Sequence, residues 1–292
     1  MQPNSPQKPP YASPEEAARI YLLPNLFTAG NMLCGFLAIK HCIEAKFVAT
    51  GGDERADHYI TAVWFIIFAC LCDLFDGRVA RATHRESLFG AEFDSIADTV
   101  SFGVAPALMA CFLVINPKVN ADIQLITWLL AFIYLLCVGV RLARFNVLTN
   151  PLVPGNEKRA AGGDFVGLPS PAAAGMMASL VLVLTHVLRL ELTDLTQVPW
   201  TWTLLPLILI ISYLMISNVR FPSFKKIDWT SKARARGFIL IIIVAAVLAR
   251  WPQFSFPLIF LIYIIWGVFR HFFILKKSEL DPAPDDDDES VI

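Results

Sequence analysis

The sequence predicts an all-α, polytopic integral membrane helix bundle of about eight spans. Three observations carry this. Apolar runs long enough to cross a bilayer recur along nearly the whole chain. The 292 residues are 56% hydrophobic and only 17% charged, with a mean hydropathy of +0.57. That is above the apolar share of a soluble domain. Lys and Arg also gather in alternate loops, as they do on the cytoplasmic side of multi-pass proteins. The net charge of −1 supplies no field to draw a nucleic acid. Residues 1–20 are polar and no short apolar core with a cleavage site comes after them, so no signal peptide is predicted.

Residues 1–12, rich in Pro, Gln, Ser and Asn, are predicted to be disordered. Ser13-Pro14-Glu15-Glu16 supplies an N-cap, a Pro at the first helical position and an acid at the third. It predicts a juxtamembrane amphipathic helix over residues 13–22. Apolar runs then predict spans near Asn25–Ile43, Tyr59–Val79, Asp94–Ile115, Ile123–Val140 and Pro169–Leu188. Further runs lie near Trp202–Ile216, Gly237–Leu248 and Phe254–Phe273. The seventh is short and must recruit flanking residues. The tail, 278–292, is a solvated acidic end with Asp285 to Asp288 in a row. Cys34, Cys42, Cys70, Cys72, Cys111 and Cys137 lie in apolar runs and read as small packing residues. The five histidines show no metal-ligand spacing.

The chain is organised around DLFDGRVARATHRESLFGAEFDSIAD, Asp73 to Asp98. Asp73, Asp76, Gly77, Ala80 and Arg81 share one helical face, and Gly90, Asp94 and Asp98 share another. A turn between them would bring four carboxylates together. Each ionised Asp in mid-membrane costs roughly 2.5–3.5 kcal/mol, so four unpaired ones would cost on the order of 10–14 kcal/mol. Two divalent cations would cancel that charge, and an oxygen-only donor set favours Mg²⁺, Mn²⁺ or Ca²⁺ over zinc. Gly77 and Gly90 let a large group approach the backbone. Arg81 offers a fork for a phosphate. Together these describe a site for a diphosphate ligand and phosphoryl transfer with a metal clamp.

This stretch resembles the signature of the CDP-alcohol phosphotransferases, D-x2-D-G-x2-A-R-x8-G-x3-D-x3-D. Asp73, Asp76, Gly77, Ala80, Arg81, Gly90, Asp94 and Asp98 occupy all eight fixed positions. At a frequency of about one in twenty per residue type, a chance match at one start is rarer than about 10⁻⁹. The resemblance implies a catalytic bundle over residues 23–190, with residues 191–277 as additional C-terminal membrane helices. It implies that Asp73, Asp76, Asp94 and Asp98 bind two Mg²⁺ or Mn²⁺ ions, with Asp98 also the catalytic base. It implies that CDP-diacylglycerol binds at Gly77, Arg81 and Gly90, with CMP as product, and that the enzyme is a homodimer. By position in the family pattern, Asn25, Thr28 and Ser87 would touch the donor as well. Asn25 can equally be a helix N-cap, and Ser87 a plain loop serine.

Two further stretches, Arg141-Leu-Ala-Arg144-Phe-Asn146 and Phe165 to Ala172, resemble the phosphatidylserine synthase branch of the family, as does the LPNLFTAGNMLCGFLA run of the first span. That branch implies L-serine as acceptor. Serine's carboxylate needs a cation, and Arg141 and Arg144 lie one turn apart. Both can instead anchor the helix at the membrane face. Asn146 and Ser170 complete the acceptor candidates, although Gly167 to Pro171 can be simply a rigid start to the fifth span. Glycerol phosphate, inositol phosphate and choline are rival acceptors, and a multi-span cation transporter is a rival of another class. The acids cluster at one face rather than the midplane, against a transport path. The loop charges set that face, and both termini, on the cytoplasmic side of the inner membrane.

Overall fold

The computed structural model describes residues 21–82, 87–114, 121–149, 165–191, 204–222, 248 and 250–275. The elements run α1 Leu22–Phe47, α2 Gly52–Ala82 and α3 Leu88–Asp98, then a π-helical segment Thr99–Val104 that leads into α4 Ala105–Val114. After these come α5 Ala121–Thr149, β1 Phe165–Val166, α6 Ser170–Glu191, α7 Leu204–Ile216 and β2 Arg220–Phe221. The last are α8 Pro252–Phe269 and a π-helical end, Arg270–Leu275. The fold is an all-α polytopic membrane protein. Among the described residues its departure from pure helix is a two-residue antiparallel pair, Phe165 opposite Phe221 and Val166 opposite Arg220.

Five helical stretches are long and apolar enough to cross a membrane: Asn25–Phe47, Gly52–Val79, Leu88–Val114, Ala121–Thr149 and Pro252–Phe273. They fall on the first four predicted spans and the eighth. The fifth and sixth correspond to shorter apolar helices, Ser170–His186 and Leu204–Ile216. The predicted seventh span lies outside the described residues except for Leu248, as do both tails and the amphipathic helix except for Tyr21 and Leu22.

α1 and α2 form an antiparallel hairpin, because only a four-residue link, 48–51, joins them. Its far helix starts well: the Thr50 N–H and hydroxyl both donate to Glu54 Oε2, at 2.9 and 3.0 Å. Asp53 and Glu54 lie in the first turn, where the macrodipole favours acids. Small buried residues line the seam, Ala38, Cys42 and Ala45 from α1 with Ala62 and Ala69 from α2. In lipid, where apolar burial drives little, such residues hold helices by close van der Waals packing. All six cysteines are free thiols, in keeping with a packing role.

α3 starts at Leu88, six residues before the predicted third span, because Ser87 caps it: its Oγ accepts from the Gly90 N–H at 3.1 Å. The π-helical segment beyond Asp98 packs against α1. A Cβ on Gly35 would overlap Ser101. Ser101 Oγ donates to Asn31 O at 2.8 Å, and Tyr134 Oη donates to Phe102 O at 2.9 Å, so the widened turn is satisfied on both sides. Ahead of α6, Gly167 holds φ +81, its N–H donating to Val219 O at 2.9 Å. A Cβ there would strike Met215 O. Phe165 to Pro171 is therefore a rigid lead-in to α6, clamped against the chain just beyond α7. The outward faces remain apolar, with Leu33, Phe36, Phe132, Leu136, Ile262 and Ile265 exposed, as a lipid solvent permits.

Gly35→Ala is expected to cost about 1–3 kcal/mol by forcing α1 off the π-helical segment. Gly139→Ala, where nothing stands within 4 Å, is the control and should leave stability equal or higher. Thermal unfolding in detergent checks both; equal midpoints would mean the contact is not tight.

Candidate active site

The near end of the α1–α2 hairpin, the start of α3, the end of α5 and the start of α6 meet at one end of the bundle. α2 delivers Asp73 and Asp76 and α3 delivers Asp94, each from a position three or four residues from the next acid on its helix. One carboxylate oxygen from each of Asp73, Asp76 and Asp94 lies within 4.8 Å of the others. Asp98 lies one turn beyond Asp94 and is buried, at 6% exposure. Its charge and those of Asp73 and Asp94 act on one another. α2 and α3 thus bring three of the four predicted carboxylates within reach of one another, with Asp98 one turn further along α3.

Partners from α1 hold the acids in place. Thr28 Oγ1 donates to Asp76 Oδ2 at 3.1 Å, and Asn31 Nδ2 donates to Asp98 Oδ1 at 2.9 Å. Both α1 side chains are buried. The Gly77 N–H is taken up by Asp76 Oδ1. Asp94 Oδ1 is buried with no hydrogen-bond partner. A buried carboxylate oxygen left without a donor, beside two further carboxylates, is the arrangement that a divalent cation relieves. All the donors are carboxylate oxygens, so the residues fit Mg²⁺ or Mn²⁺.

Asn25 is not the N-cap of α1. The cap is Tyr21, which makes no side-chain capping bond, and Asn25 sits within the first turn, its N–H donating to Tyr21 O at 3.2 Å. Its Nδ2 is buried without a partner, and its Oδ1 lies 3.6 Å from where a Cβ on Gly90 would stand. Asn25, Ser87 and Gly90 therefore border one space. Arg81 sits near the end of α2, two turns beyond Asp73, and its side chain lies outside the described residues.

On the other flank, Arg141 is buried and its Nη1 donates to Ser170 Oγ at 2.6 Å, while its Nε has no partner. The charges of Asp98 and Asp73 act on it. Arg144 is differently engaged: it donates to Ile216 O at 3.3 Å and to Asn218 Oδ1 at 2.8 Å, tying α5 to the end of α7. Asn146 Nδ2 donates to Ser95 Oγ at 2.9 Å, tying α5 to α3.

Sequence reasoning missed Asn31 and Ser101. The signal for Asn31 was present: Asn25, Thr28 and Asn31 recur every three residues on one apolar helix, a polar stripe that asks for polar partners. Ser101 carried no such signal.

If the three acids grip one ion, Asp94→Asn should weaken Mn²⁺ binding at least about 10–100-fold, the range that outer partners of a metal alone command. The free-Mn²⁺ EPR signal during titration of the purified protein reads this. Undiminished binding would mean that the three carboxylates do not act together.

The comparisons with known proteins fit this geometry. The family model described as CDP-alcohol phosphatidyltransferase matches residues 21–213. A Helicobacter pylori protein named CDP-diacylglycerol–serine O-phosphatidyltransferase is 33% identical over 260 residues, covering 88% of this chain and 94% of its own. Proteins of the same name from Bacillus subtilis and Saccharomyces cerevisiae also match. The first is 31% identical over 210 residues, covering 70% of this chain and 92% of its own. The second is 36% identical over 159 residues, covering 54% and 52%. With a family match over residues 21–213 that takes in every acid of the site, and likeness over 88% of the chain to an enzyme so named, the chain belongs to the CDP-alcohol phosphatidyltransferase family.

Proposed function

We propose that this enzyme transfers the phosphatidyl group of CDP-diacylglycerol to the hydroxyl of L-serine, giving phosphatidylserine and CMP. The observation that carries the reading is the convergence of Asp73, Asp76 and Asp94 beside Asp98 at one end of an apolar bundle. Serine as acceptor is supported by relatives of that printed name over most of the chain. The catalytic unit we assign to residues 23–190, with 191–277 as added helices, acting as a homodimer. From the charge pattern, the site faces the cytoplasm.

Asp73, Asp76, Asp94 and Asp98 would hold two Mg²⁺ or Mn²⁺ ions. When bound, these supply charge neutralisation for the diphosphate and for the CMP leaving group. The chain's own residues bind and orient. Gly77 and Gly90 leave backbone accessible where the diphosphate must lie. Asn25, with its unpartnered Nδ2, together with Thr28 and Ser87, would border the cytidine end. Arg81 would take a phosphate oxygen in its fork. On the acceptor side, Arg141, held by Ser170 and with Nε unpaired, would meet the serine carboxylate. Arg144 and Asn146 would shape the rim from α5.

In the reaction the serine hydroxyl oxygen forms a bond to the β-phosphorus and the bond to CMP breaks. Asp98 takes the hydroxyl proton. Asn31, donating to Asp98 Oδ1, leaves the other oxygen for that task.

The deciding experiment supplies membranes with CDP-diacylglycerol and labelled serine, glycerol phosphate, inositol phosphate or choline. Serine should be incorporated, with CMP release that requires Mg²⁺ or Mn²⁺. Use of another acceptor would move the assignment within the family. Asp98→Asn should abolish turnover yet retain CDP-diacylglycerol binding; near-normal turnover would remove Asp98 as the base. Arg141→Ala should raise the serine KM at least about tenfold, the loss of one charge-assisted contact, and the donor KM far less. Arg144→Ala should show a smaller split, because Ile216 and Asn218 already engage its guanidinium.

A further inference from the structure

At the opposite end of the α1–α2 hairpin, three side chains converge that the reaction does not use. His41 and Glu44 lie one turn apart on α1, and His58 faces them from α2. The two Nδ1 atoms are 3.1 Å apart. Glu44 Oε2 lies 3.3 Å from His41 Nδ1 and 3.6 Å from His58 Nδ1. We propose that His41, Glu44 and His58 form a second metal site, for a transition-metal dication of the Zn²⁺ type, which fastens this end of the hairpin.

The distances suit such an ion. A triangle with those three edges has a circumradius of about 1.9 Å, so a point about 2.0–2.1 Å from all three atoms lies roughly 0.7 Å off its plane. A tetrahedral ion with bonds of that length sits about one third of a bond, also roughly 0.7 Å, above the plane of any three ligands. Two imidazoles and a carboxylate are a Zn²⁺ donor set, with the fourth position left for water. The three residues are half-buried, so water can reach that position.

The surroundings hold the donors ready. Lys40 Nζ takes Glu44 Oε1 at 3.0 Å, which turns Oε2 toward the imidazoles. That Oε2 atom is buried and makes no hydrogen bond. The His41 ring stacks on Phe65, with centroids 5.6 Å apart, which fixes its orientation. Thirteen residues separate His41 from Thr28, about 20 Å of helix, so this site is distinct from the aspartates. The soft-to-borderline imidazoles here and the all-oxygen donors there also select different ions.

A metal bound only by the folded hairpin adds stability by mass action. The test uses the purified full-length chain in detergent, stripped with chelator and then saturated with Mg²⁺ so that the aspartates are occupied. Zn²⁺ is titrated against a chromophoric chelator. One tight Zn²⁺ per chain is expected, with a higher thermal midpoint. His58→Gln and His41→Gln should each weaken binding at least about 10–100-fold and abolish the midpoint shift, while Mg²⁺-dependent turnover persists. The proposal is overturned if wild type binds Zn²⁺ no more tightly than either variant. It is equally overturned if Asp94→Asn, rather than the histidine variants, removes the tight ion.

Discussion

Everything at the catalytic end stems from the burial of several carboxylates in a bundle whose exterior is hydrocarbon-like. Asp76 and Asp98 are almost wholly buried, and Asp73 and Asp94 are half-buried beside them. Acids in such a place cannot rely on water, so each must be given donors or cations by the protein or its ligands. Thr28, Asn31 and the Gly77 amide supply some, and Arg141 supplies a nearby positive charge. The oxygen of Asp94 that no donor reaches marks where this internal provision stops. The remaining imbalance is negative charge concentrated at one point, which a divalent cation would neutralise.

That arrangement needs helices held closely and in a single register. A slip of one turn, about 5.4 Å, would part Thr28 from Asp76 and Asn31 from Asp98 together. Gly35 against Ser101 fixes the position of α1 on the π-helical segment directly beyond Asp98. The extra residue in that wider turn rotates the downstream helix about its axis, so Ser101 faces α1 while Asp98 still faces the site. Packing of small residues thus acts on chemistry through register rather than contact.

Much of this was legible in the chain. The acids were readable because their spacing is helical, and helical spacing is local. The helix positions were readable because apolar runs are local too, although the start of α3 shifted once Ser87 proved to be its cap rather than a loop residue. The pairs that cross between helices were not readable: Asn31 with Asp98, Arg141 with Ser170, and Arg144 with Asn218 lie 67, 29 and 74 residues apart. Arg141 and Arg144 looked equivalent, one turn apart, yet one turns inward and the other toward the end of α7. The histidines show the same limit. His41 and His58 show no ligand spacing on one helix because they meet across the hairpin, 17 residues apart.

The α1–α2 hairpin connects the two polar clusters. Its near end carries Thr28, Asn31, Asp73 and Asp76, and its far end carries His41, Glu44 and His58. Between them the seam mixes small residues, Ala38, Ala62 and Ala69, with the larger Tyr59, Val63 and Ile66, and apolar packing of this kind is less directional than hydrogen bonding. Polar contacts are directional, and two sets of them about 20 Å apart leave only one register that satisfies both. The Thr28 and Asn31 contacts align the aspartates on their own, and the far-end cluster would fasten the same register from the other end of the hairpin without touching them.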